Sequence, residues 1–214
     1  MGISRIILGE RHPSHGIEFI SVNGWFSLGR GYYPGPNNML LTSTGANFGF
    51  MRSIWLMLGI MLGMQSMLLL VAFGVGSLIL IYPSLHLALK ILGSLYLLWL
   101  AWKIATSAYE KLDTNVAPAK PLRLYQGWLL QFLNPKAWLM GLGSVASFSM
   151  AGAAYNHSIL MISLGMFMVN LVAGIIWLGF GTLIGRLLGS RRAWFTFNIS
   201  MGLLTAACVL LIWH

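Results

Sequence analysis

Charged residues disappear from this chain in long blocks. No Asp, Glu, Lys or Arg occurs from Ser53 to Leu89, from Ala137 to Gly185, or from Ala193 to His214. A helix needs about 20 apolar residues to cross a bilayer, so each of the first two blocks is long enough for more than one crossing. Turn residues divide the blocks. The pattern predicts a span over about Ser53 to Ile81, stopped by Tyr82, Pro83 and Ser84, and a second over about Leu85 to Ile104. A polar connection follows at 105–125. Further spans cover about Gln126 to Met150, Ile159 to Ile184 and Ala193 to Trp213, with a turn at 151–158. The blocks do not alternate in polarity as barrel strands must. The fold class this predicts is all-α, a polytopic membrane protein.

Residues 1–33 fit the pattern poorly. Arg5, Glu10, Arg11, Glu18 and Arg30 punctuate them, and the longest charge-free stretch, Phe19 to Gly29, is too short to cross. They are expected to form an atypical N-terminal segment ahead of a membrane domain at 34–214, so that the first helix is atypical or missing.

Two apolar stretches are broken in the same manner. PGPNN at 34–38 and LNPKA at 133–137 each set proline beside asparagine. After each break come a broken segment, a span, a turn and another span. Pro36 and Pro135 thus head two halves, about 34–107 and 126–214, joined by a linker at 108–125. An odd number of crossings per half turns the second half upside down. That predicts a six-helix inverted repeat (3+3), the arrangement of many secondary transporters, with the interrupted segments as the candidate site. A helix that begins at such a break presents backbone donors and a positive dipole end to a carboxylate. Irregular backbone at that depth is tolerated only when buried in protein or lining a wet cavity. The plainer alternative is two packing kinks patched by Asn side chains.

Composition agrees with the pattern and orients it. The chain is 57% apolar and 8% charged, with mean hydropathy +0.78, where soluble domains carry about 25% charged residues. Its net charge of +9 is read as basic residues flanking spans on the side of anionic lipid, with membrane lipid rather than nucleic acid as the partner. Arg52, then Lys103, Lys111, Lys120 and Arg123, then Arg186, Arg191 and Arg192 fall on one side, which is expected to be cytoplasmic; the linker lies there too. Lys90 is the exception, close enough to an end to snorkel. The single thiol, Cys208, excludes an internal disulfide and reads as a small buried hydrophobe.

PGPNNMLLTSTGANFGF (34–50), GSLYLLWLAWKIA (93–105) and QFLNPKAWL (131–139) together resemble the LysE/RhtB superfamily of amino-acid exporters. LAWKIATS at 100–107 is similar to the branch that exports cysteine and O-acetylserine; the homoserine and threonine exporters are a related branch. The resemblance covers about residues 34–214, and residues 16–33 depart from it. It implies six helices in two inverted repeats and secondary active efflux of amino acids or their derivatives. The implied setting is the bacterial inner membrane, with the proton-motive force as driver. The alternatives are an inactive or truncated member and a non-transporting accessory membrane protein. A homodimer is left open.

The candidate substrate-binding residues are Pro36, Asn37, Asn38, Gln131, Asn134, Pro135 and Lys136. Asn37, Asn38 and Asn134 could contact substrate or cap the helices beside them. Lys136 could attract a carboxylate, take part in proton movement, or snorkel, since a lysine within a span is costly. Gln65, Gln131 and Asn170 read first as hydrogen-bonding partners between helices, with cavity lining as the second reading of each; Gln131 is also among the candidates above. Gly59 with Gly63, and Gly181 with Gly185, read as packing positions. Trp25, Trp99, Trp102, Trp194 and Trp213 read as interface anchors. No Asp or Glu lies in any predicted span. No cluster suits a metal, no glycine-rich loop suits a phosphate, and no Ser-His-Asp set lies within the membrane. The expectation is a transporter without cofactor or metal, not an enzyme.

Overall fold

The computed structural model describes residues 35–107 and 120–213, and every regular element among the described residues is helical. In chain order these are α1 (Pro36–Phe48), α2 (Phe50–Ala72), α3 (Val75–Ile81), α4 (Pro83–Ala105), α5 (Leu124–Leu133), α6 (Pro135–Phe148), α7 (Tyr155–Leu187), α8 (Arg191–Ala207) and α9 (Leu210–Trp213). A 3-10 turn at Gly152–Ala154 precedes α7. Among the described residues, four stretches are long and apolar enough to cross a membrane: α2, α4, Gly152–Leu187 and Arg191–Trp213. The chain is a multi-pass helical membrane protein. The expectations for residues 1–33 and for most of the linker fall outside the described residues.

The element boundaries correct the sequence reading in three places. The span predicted over Ser53 to Ile81 is two helices, because α2 ends at Ala72 and Gly74 turns left-handed at φ 89° before α3 begins. The turn predicted at 151–158 is shorter, since α7 begins at Tyr155. Arg52, expected ahead of its span, lies in the first turn of α2. That helix starts after Gly49, whose φ of 78° makes the corner from α1.

The central helix is α2, which packs against α5, α6 and α7, while α1 lies along α7 and α4 along α8. Small residues permit this closeness. A Cβ built on Gly59 would lie 2.0 Å from the Leu124 carbonyl oxygen of α5, and one on Gly181 would lie 2.1 Å from that of Thr42 in α1. Both glycine pairs are thus points of helix contact, as read. One buried apolar cluster joins Leu40, Leu56, Leu97, Leu100, Leu130 and Leu178; a second joins Met67, Leu68, Val71, Ile162 and Met166. The outward faces carry exposed Leu69, Leu95, Leu164 and Leu203. Lipid tails are as apolar as leucine, so these positions lose nothing by facing the bilayer.

Polar side chains tie the helices where apolar contact gives little preference for one partner over lipid. Gln65 Nε2 donates to the Ser163 carbonyl at 3.2 Å, and the Ser163 hydroxyl donates back to the Gln65 amide oxygen. Asn47 of α1 and Asn198 of α8 exchange amide hydrogen bonds at 2.7 and 3.2 Å, with Asn198 fully buried. Trp99, Trp102 and Trp213 are exposed, in keeping with interface anchors, but Trp194 is buried. Its place near a helix end misled the sequence reading, because α8 turns that face toward the protein. Cys208 is buried as expected, its thiol donating to the Leu204 carbonyl.

Candidate functional site

α1 begins at Pro36 and the chain is broken between α5 and α6 at Asn134, and proline shapes both helix starts. Pro36 and Pro135 occupy the first helical position, where a residue without an N–H costs nothing and a fixed φ favours the start. The residue before each proline is pushed out of helical geometry. Gly35 has ψ 173° and Asn134 has ψ 104°. Set end to end, α5 and α6 hold 10 and 14 residues, roughly 36 Å at 1.5 Å per residue. That exceeds a hydrocarbon core of about 30 Å, so the break at Asn134 falls at mid-depth if the pair crosses.

The two helix starts open onto one cavity of about 90 Å³. From α1 it is lined by Gly35, Pro36, Asn37, Asn38 and Leu41, and from the second break by Gln131, Asn134, Lys136, Ala137 and Met140. The rest of the wall comes from α2 through Met57, Ile60, Met61 and Met64, and from α7 through Met166, Val169, Asn170, Ala173 and Gly174. Six of the seven candidate residues therefore share one cavity. Pro135 is the exception. It is buried behind the lining, and a Cβ built on Gly93 of α4 would lie 3.6 Å from its Cδ and 2.0 Å from the Leu133 carbonyl oxygen. A larger cavity, about 230 Å³, lies beyond the far end of α1 among Asn47, Lys103, Thr106 and Lys120, and holds none of the candidates.

The polar groups divide into fixed and available ones. Asn37 Nδ2 donates to Gln131 Oε1 and Gln131 Nε2 donates to Asn37 Oδ1, both at 3.1 Å, a reciprocal bridge across 94 residues of sequence. Gln131 also donates to the Gly127 carbonyl and is fully buried. Asn134 Oδ1 accepts the Lys136 backbone N–H at 3.1 Å, which makes it the cap of α6. The Trp138 indole donates to the Phe132 carbonyl at 2.8 Å, satisfying a group near the interrupted end of α5. The Lys136 ammonium has no hydrogen-bond or ion-pair partner among the described residues. No group of three or more His, Cys, Asp or Glu able to hold a metal occurs among them either.

Sequence reasoning ranked one part of the wall second and missed another. Asn170 does not join helices as expected; its Nδ2 donates to the Met166 carbonyl of its own helix while the residue lines the cavity. Five methionines line the site as well. Met57, Met61 and Met64 follow helical spacing on α2, a signal present in the sequence but indistinguishable there from ordinary span residues.

Comparison with known proteins gives the family. Residues 32–212 match the model of the LysE type translocator family. The cysteine/O-acetylserine efflux protein of Salmonella typhimurium strain LT2 is 33% identical over 181 residues, 85% of this chain and 90% of that one. The protein of the same name from Escherichia coli strain K12 is 32% identical over the same length and coverage. No solved structure matches. A multi-pass helical chain with this match over most of its length belongs to the LysE-type translocator family, whose members move solutes and are not enzymes.

Proposed function

We propose that this protein is a secondary active exporter of amino acids or their derivatives across the bacterial inner membrane, driven by the proton-motive force. Its architecture is read as six crossings in two inverted halves, 34–107 and 126–214, with the connection at 108–125 on the cytoplasmic side. In this reading the broken pair α5 and α6 forms one crossing and α1 the described part of another. Efflux of cysteine and O-acetylserine by relatives makes small neutral amino acids the first substrates to test.

The observation that carries the reading is the meeting of both breaks in one polar-and-apolar cavity, bridged by Asn37 and Gln131. A free amino acid has an invariant end, a carboxylate and an ammonium, and a variable side chain. Lys136 and nearby helix starts suit the carboxylate. Carboxamide oxygens suit the ammonium. The methionine wall suits the side chain, because flexible, polarisable thioethers conform to varied apolar shapes. Irregular backbone at mid-depth is what such a site requires.

Lys136→Ala tests the assignment against Lys90→Ala. Lys90 also lies within a span, but its ammonium sits over the Trp213 ring, 5.6 Å from the centroid, away from the cavity. Losing a charge-assisted hydrogen bond costs about 1.5 to 3 kcal/mol, roughly ten- to a hundredfold in rate. Efflux of labelled cysteine or O-acetylserine from loaded cells, at equal expression, should fall by that factor in Lys136→Ala and stay near parental in Lys90→Ala. Parental efflux by Lys136→Ala would remove the site assignment. No efflux by the parent chain would favour an inactive or accessory membrane protein.

A further inference from the structure

We propose that Lys136 makes the cavity a charge filter, which accepts amino acids of neutral or negative net charge and rejects those with a cationic side chain. This rests on the amino-acid reading above and adds the charge class of the substrate. Among the described residues Lys136 is the one ionisable side chain lining the cavity, is half-buried, and has no ion-pair partner. The other hydrogen-bonding side chains of the wall are carboxamides, which carry no net charge.

The sequence strengthens the point. All four acidic residues are Glu10, Glu18, Glu110 and Asp113, so none occurs from Phe19 to Tyr109 or from Thr114 to His214. Helices α1 to α9 therefore hold no carboxylate in any side-chain conformation. A neutral amino acid brings its own carboxylate and neutralises Lys136 on binding, while its ammonium meets amide oxygens. A second ammonium in the side chain would face Lys136 across a methionine wall with no anion among the described residues to offset it. At an effective dielectric constant of about 20, two like charges several ångströms apart shift an equilibrium by tenfold or more. An extra carboxylate meets no such barrier.

The test uses the full chain reconstituted in vesicles loaded with labelled serine, aspartate or lysine. Serine and aspartate should leave at least about tenfold faster than lysine. Lys136→Met keeps the length of the side chain without its charge, and should bring the ratio toward one. Lys136→Arg should preserve it, and Lys136→Gln is the second neutral variant should Lys136→Met melt early. Lysine efflux equal to serine efflux in the parent, or an unchanged ratio in the neutral variants, would overturn the filter. Should no amino acid leave the vesicles, the exporter reading fails separately, and the filter is judged on the purified chain. Serine and aspartate should raise its melting temperature and lysine should not. Stabilisation by lysine as large as by aspartate, or by none of the three, would overturn it.

Discussion

The two helix starts at the cavity use nearly the same residues in opposite order. At α1 the proline comes first, Gly35-Pro36-Asn37; at α6 the asparagine comes first, Asn134-Pro135-Lys136. Asn134 sits outside the helix, where its carboxamide caps the Lys136 N–H. Asn37 sits inside the first turn, beyond capping range, and its carboxamide reaches α5 instead. The second start is also clasped from outside by Gly93 and patched by Trp138, whereas Gly35 makes no side-chain cap at the first. The order of two residues decides whether an asparagine serves as local scaffold or joins distant parts of the chain.

That contrast can be broken most severely at Gly93. A side chain there must displace the Leu133 backbone, so Gly93→Val should cost more than about 3 kcal/mol, beyond ordinary overpacking. The loss should appear as aggregated or poorly expressed protein in size-exclusion chromatography. Gly143→Ala in α6, where nothing lies within 4 Å of the added carbon, should behave like the parent. A well-folded Gly93→Val would mean the second break is not clasped.

The bridge comes next. Asn37→Leu leaves the buried Gln131 amide without this partner, at about 1 to 3 kcal/mol, Gln131→Leu leaves a half-buried Asn37 and should cost less, and the double replacement should cost less than the two single costs added. Thermal melting in detergent reads this cycle. Simple additivity would show that the two amides do not act as a pair.

Removing the cap with Asn134→Ala should cost about 1 kcal/mol, and Asn134→Ser should restore most of it. Export by Asn134→Ser should stay near parental, whereas a serine at position 37 is too short to bridge and should export poorly. Equal export defects at the two positions would erase the distinction drawn above. The smallest effect is expected for Trp138→Phe, which loses one hydrogen bond to the Phe132 carbonyl, about 0.5 to 1.5 kcal/mol. A melting temperature unchanged from the parent would show that the indole does not support the break.

Much of this was legible because lipid imposes length. Charge-free runs located α2, α7 and α8, the turn at Pro83 and the apolar run around Lys90 located α4, and proline located both breaks. What stayed hidden was which face of each helix points inward. In water, an apolar stripe marks the core; in a bilayer, Met57 toward the cavity and Leu69 toward lipid look alike. Hence the methionine wall and the burial of Trp194 went unread. The break at Gly74 was missed because a single glycine is common within membrane helices and does not usually end one. Asn170 shows a further limit. A polar residue in a span must find a hydrogen bond, but its own helix can supply one, as the Met166 carbonyl does.

Asn37 and Asn47 stand ten residues apart on α1, about 15 Å along its axis. One is paired with Gln131 of α5 and the other with Asn198 of α8. Mechanically, α1 is a rod that lies along α7 and is tied by its amides to two further supports. It can swing about either tie while the other opens, but sliding along its axis must open both. If the export proposed above moves α5 relative to α8, turning α1 about one tie would open one bridge where sliding would open two.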